Sequence, residues 1–128
     1  MPVRIVRLGA PRAAGEGLRL GIVRRPPRGV RKADHAKQDW YDVWYPNLAP
    51  SAPTLALGRA AMTGLDRAGF RKRFRAEMAE PDAARTLDVL AALSHRADFS
   101  VGCYCGDEAR CHRPVLREAL AKRGAKIA

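Results

Sequence analysis

Three cysteines, crowded into nine residues near the carboxyl end of a 128-residue chain, are too few and too local for a disulfide framework. Their clustering points instead to site chemistry in a reducing compartment. Aromatics are also scarce, with two tryptophans, three tyrosines and three phenylalanines. No apolar run reaches the 18 residues that a membrane-spanning helix needs. The opening segment Met1–Leu8 is interrupted by Arg4 and Arg7, so it lacks the apolar core of a secretory signal, and a cytoplasmic protein is expected. Acid is the other shortage: 13 Asp and Glu stand against 24 Lys and Arg.

What remains is a soluble, globular composition, 47% hydrophobic and 29% charged, in a chain long enough for one domain spanning residues 1–128. The net charge of +11 is spread evenly, +6 over residues 1–50 and +5 over residues 51–128, so no basic tail exists. Such charge favours non-specific association with nucleic acid without specifying it. A GC-rich coding bias toward arginine and alanine would produce the same excess.

Two runs rich in β-branched residues, Val3–Leu8 and Leu18–Arg24, read as strands separated by a Gly/Pro/Ala-rich stretch. Pro26 and Pro27 then force the chain out into a cationic loop carrying Arg24, Arg25, Arg28, Arg31 and Lys32. The aromatic cluster Trp40–Tyr45 fits neither helix nor strand clearly, and the stretch Leu55–Ala61 is equally ambiguous. Its rings suit the core or an interface, or stacking on bases. From Thr63 or Asp66 a helix is expected, with Phe70, Phe74 and Met78 on one face. Pro81 opens another that buries Ala84, Leu87, Leu90, Ala91 and Ser94. Phe99–Cys105 reads as a strand, and Pro114–Gly124 as a helix with Leu116, Ala119 and Leu120 inward. The order β-β-loops-α-α-β-α predicts an α/β fold: a single small layered domain, its sheet mixed or mostly parallel and flanked by helices.

The segment Cys103–Pro114 falls between a strand end and a helix start, where open α/β sheets bind ligands. Cys111, close to the helix dipole and to Arg110 and Arg113, should ionise more easily than an ordinary thiol. Several readings stay open. Cys103, Cys105, Cys111 and His112 supply four zinc ligands, although a Cys-x-Cys gap and adjacent Cys-His are poor tetrahedral spacings. Alternatively Cys111 is a nucleophile or redox centre with His112, Asp107 or Glu108 as proton partner. The cysteines also suit plain packing, and the helix start suits an anion without thiol chemistry. No cofactor is predicted. The favoured expectation is a pocket for a phosphorylated or nucleotide-like small molecule, with Cys111 and His112 as reactive groups and Arg24, Arg28, Arg110 and Arg113 as anion ligands. A nucleic-acid-associated basic protein and a structural zinc site are the alternatives.

Four motifs in order, Pro27-Arg-Gly-Val30, Trp44 with Leu48-Ala-Pro-Ser51, Phe70-Arg-Lys-Arg-Phe-Arg-Ala-Glu77 and Cys111-His-Arg113, resemble the YeaO-like bacterial family known as DUF488. The resemblance spans Val3 to Leu120 and implies a compact cytoplasmic α/β domain, with Cys-His-Arg as the suggestive element of one branch. The other branch usually has an Asp-Arg pair and a Trp before Pro27. This chain has Val23, Arg24 and Pro26 there, so only Arg24 carries over, and Cys105 falls outside the pattern.

Overall fold

A computed structural model describes residues 2–60, 64–104 and 112–128. The β-branched runs become strands β1 (Val3–Arg7) and β2 (Leu18–Gly21), joined by β3 (Val43–Trp44) and β4 (Phe99–Cys103). All pairings are parallel, in the order β1-β4-β2-β3. Four helices follow: α1 (Ala52–Ala60), α2 (Gly64–Met78), α3 (Pro81–Leu93) and α4 (Arg113–Lys122). The expected α/β class therefore holds, as one small domain with a wholly parallel sheet. Two elements go beyond the sequence reading. Leu55–Ala60 is the body of α1, and Val43–Trp44 forms a two-residue edge strand where the aromatic cluster meets Pro46.

Alternation along the strands divides the sheet into two unlike faces. Phe99 and Val101 of β4 join Leu20, Phe74, Met78, Leu87, Leu116 and Leu120 in the main core. Phe70, Phe74 and Met78 are buried at the expected i, i+4, i+8 positions of α2. In α3 the expected Leu87, Leu90, Ala91 and Ser94 are buried, while in its first turn Ala83 takes the inner place expected of Ala84. The start of α1 is tied across to α2: Glu77 accepts the Ser51 N–H at 2.9 Å and the hydroxyls of Ser51 and Thr54, each at 2.6 Å. One carboxylate thus satisfies donors that the first turn of a helix leaves over.

Among the described residues, the second apolar cluster, Leu8, Val23, Tyr41 and Cys103 with Trp40 and Tyr104, draws on no α-helix. A parallel connection normally crosses back through one, but the β1–β2 connection is an irregular loop, and its polar groups converge on one arginine. Arg19 of β2 is 0% exposed. Its guanidinium donates to both carboxylate oxygens of Glu16, at 2.7 and 3.0 Å, and to the carbonyls of Ala10 and Asp39, at 2.9 and 2.7 Å. Glu16 also accepts the Ser100 hydroxyl at 2.8 Å and the Ala13 N–H at 3.1 Å. At the other edge, β1 is covered by the chain's end: Val3 N–H donates to Lys126 O and Ala128 N–H to Val3 O. That pairing covers the first residue of the β1 edge.

Burial alone would raise the Glu16 carboxyl, but hydrogen bonds from Arg19, Ser100 and Ala13 outweigh it and hold the group at about 2, against an ordinary 4.5. The folded state therefore binds this proton more weakly than the unfolded chain. Its contribution to stability is complete above pH 4.5 and is lost as pH falls from there to about 2. Glu16→Gln leaves Arg19 as a buried charge without a counter-ion, at a cost of about 3–5 kcal/mol. Thermal denaturation at pH 7 should show a Tm lower by roughly 10 °C or more, and the variant should lose the part of the parent's acid sensitivity that falls between pH 4.5 and 2.

Candidate functional site

The carboxyl ends of β1, β2 and β4 open into a cleft of about 1030 Å³, bounded on its far side by α1 and by Phe70 of α2. This is the crevice in which parallel sheets usually place their ligands. Its floor is set by where the strands stop: Leu8 and Gly9 after β1, Val23 beyond β2, and Cys103 and Tyr104 at the end of β4. His112, immediately before α4, completes it. The sequence expectation of a strand-to-helix junction is met at this point.

Charge in the cleft has one sign. Arg7, Arg24, Arg25, Arg28 and Arg59 line it, and none of its described lining residues is Asp or Glu. Five arginines elsewhere have carboxylates: Arg12 with Asp42 at 2.8 Å, Arg19 with Glu16 at 2.7 Å, Arg31 with Asp34 at 3.1 Å, Arg75 with Glu118 at 3.1 Å and Arg123 with Asp88 at 2.7 Å. Among the described residues, the side chains of Arg7, Arg25, Arg28 and Arg59 have neither an ion-pair nor a hydrogen-bond partner, and all four residues are exposed. Arg24 is different. Its Nε donates to Pro50 O at 2.9 Å, and one terminal nitrogen donates to Ala49 O at 3.0 Å and Pro46 O at 3.2 Å. It closes the loop that leads into α1, so most of its donor capacity is structural.

His112 is 5% exposed, with its ring edge-on to Phe74 at 5.2 Å. Its Nε2 lies 2.9 Å from the carbonyl of Ile22, which can only accept, so Nε2 carries the hydrogen. In the neutral ring this makes Nδ1 the basic nitrogen. Tyr104 donates its hydroxyl to Arg25 O at 2.9 Å, pinning the arginine loop, and burial pushes its phenol pKa up. Cys103 is buried, 1% exposed, at the cleft's base.

Of the residues singled out by sequence, the structure brings Arg24, Arg28, Cys103 and His112 to the cleft. Arg113, the first residue of α4, is buried and does not line it. Cys105, Asp107, Glu108, Arg110 and Cys111 lie outside the described residues. Among the described residues, no three His, Cys, Asp or Glu side chains gather in a way that could hold a metal ion. Sequence reasoning missed Arg7 and Arg59, which are separated from the proline loop by many residues and meet it only through the sheet. The position of Arg7 at the end of a strand run was the signal that could have found it.

A family profile described as "Active DUF488-N3 subclade" matches residues 3–124, and the chain belongs to the DUF488 family. No curated protein and no solved structure matches it.

The far wall depends on a glycine. A Cβ at Gly58 would stand 2.7 Å from two carbons of the Phe70 ring, so α1 approaches α2 only because the side chain is absent. Gly58→Ala gains about 1 kcal/mol of helix propensity but forces an overpacked contact costing about 1–3 kcal/mol. The single variant is expected to be net destabilised in urea denaturation. Adding Phe70→Leu should recover stability relative to the sum of the two single changes, and strict additivity would contradict the contact.

Proposed function

We propose that the cleft binds a phosphorylated small molecule, with Arg7, Arg25, Arg28 and Arg59 as its anion ligands. The observation that carries this reading is the convergence of positive charge. Four arginines that have no carboxylate partner among the described residues line one crevice, and none of its described lining residues is acidic. Like charges held together repel, and a fold keeps such an arrangement at a cost in stability unless something anionic offsets it. Planar guanidinium groups are well suited to phosphate, which they can engage with two parallel hydrogen bonds.

His112 contributes a ring whose tautomer is set by Ile22, with Nδ1 as its acceptor. Arg24 acts by holding the loop at 46–50 rather than as a ligand. The reading does not depend on thiol chemistry at Cys111, although that residue's position before His112 keeps a reactive thiol compatible with it. Membership of a subclade described as active supports treating the cleft as a working site. A cytoplasmic location belongs to the same proposal. No helix among the described residues is long and apolar enough to cross a membrane.

Calorimetric titration with inorganic phosphate and pyrophosphate tests the proposal. The double variant Arg25→Ala/Arg28→Ala should bind at least roughly 100-fold more weakly, since each charged hydrogen bond is worth about 1.5–3 kcal/mol and two are lost. Its Tm without ligand should be unchanged or slightly higher, because like-charge repulsion is relieved. Unaltered affinity in the double variant, or no binding of either anion by the parent protein, would remove the anion site.

A further inference from the structure

The cleft is much larger than phosphate requires. At about 1030 Å³ it matches the upper range of pockets that enclose whole organic ligands. The non-charged part of its lining therefore defines the rest of the ligand, and that part is mostly apolar. Trp40, Pro26, Pro27 and Leu55 supply the accessible surface, with Leu8, Val23 and Phe70 buried beneath it. None of the described lining residues is Ser, Thr, Asn, Gln, Asp or Glu. A phosphosugar offers several hydroxyls that need such partners, and leaving them unmatched in a cleft is unfavourable. An aromatic ring asks only for a face to lie against.

Trp40 is built to provide one. Its ring packs over Gly9, where φ is +92° and a Cβ would come within 3.0 Å of the ring. Tyr104 meets it edge-on with centroids 5.8 Å apart, and its Nε1 donates to Gln38 at 3.4 Å. The indole is half-buried and immobilised on the cleft wall. The hydroxyl of Tyr104 in turn holds the backbone of Arg25, so the aromatic wall and the arginine loop are mechanically one unit.

We infer that the ligand is a nucleoside monophosphate, its base lying against the Trp40 and Tyr104 wall and its phosphate among the arginines. This rests on the anion reading above and deepens it. Since every base presents a π-face, and the described walls carry no amide or carboxylate to read base edges, discrimination between adenine and guanine should be weak.

The test compares adenosine 5′-monophosphate, ribose 5-phosphate and a 5′-phosphorylated hexanucleotide by calorimetry on the whole protein and on Trp40→Ala and Trp40→Phe. The mononucleotide is expected to bind at least tenfold more tightly than ribose 5-phosphate. That margin should vanish in Trp40→Ala and persist in Trp40→Phe, with ribose 5-phosphate affinity unchanged throughout. Equal affinity of the parent protein for the two small ligands would overturn the base subsite and leave the anion site standing. No binding of either would overturn both. Binding of the hexanucleotide alone would overturn the mononucleotide in favour of a strand. Should Trp40→Ala fail to fold, the parent's own comparison of the two small ligands still decides.

Discussion

Arg19 and Glu16 do in this fold what a crossover helix does in most parallel sheets. A helix would close its own backbone hydrogen bonds and cover the sheet with apolar side chains. Here the loop from β1 to β2 is irregular, and the buried guanidinium collects carbonyls at Ala10 and Asp39 while Glu16 gathers Ser100 and Ala13. Two separate segments, the β1–β2 loop and the stretch at Asp39, are therefore fixed against β2 and β4 by one ion pair. Isolated, that pair would be costly to bury; the remaining donors and acceptors around it make it tolerable. Asp42, which accepts the Arg19 backbone N–H at 2.8 Å and pairs with Arg12, extends the same clasp toward β3.

The cleft inherits its shape from this clasp. Gly9 and Trp40 sit at the edges of the two loops that Arg19 draws together, and Gly9 N–H donates to Asp39 O at 2.9 Å. Trp40 is consequently held at the mouth of β1 without belonging to any strand or helix. On the other side, Arg24 and Glu77 perform matching tasks, one gathering carbonyls before α1 and the other gathering donors at its start. Charged side chains thus build both flanks of the crevice by satisfying irregular backbone. Arg7, Arg25, Arg28 and Arg59, which take no part in that work, line the crevice between them.

The pattern of apolar residues made the sheet and the three later helices legible. Phe70, Phe74 and Met78 recur at helical spacing, and Phe99 and Val101 alternate as a buried strand must, so local periodicity and tertiary burial agree. α1 was not legible because Ala52–Ala60 has little amphipathic contrast and its start is satisfied by Glu77, a residue some two dozen positions away. The same remoteness hid the role of Arg19, which in sequence is one more cation in a strand of alternating leucines. Arg24 lines the cleft, yet its partners are carbonyls that no side-chain pattern reveals. Cys103 and His112 were legible as a pair flanking a strand-to-helix junction. Their neighbours at Arg7 and Arg59 depended on topology.

The central claim is that four arginines without carboxylates make one anion site at the carboxyl ends of the strands. The most direct measurement is a phosphate titration followed by two-dimensional NMR, resolving backbone amides and arginine side-chain Nε–H groups. The account predicts saturable shifts confined to the cleft, at Gly9, Arg25, Arg28, Gly58, Arg59 and Tyr104, with the exposed faces of α3 and α4 unmoved. Shifts scattered over the basic surface in proportion to ionic strength, or none in the cleft at saturating phosphate, would contradict it.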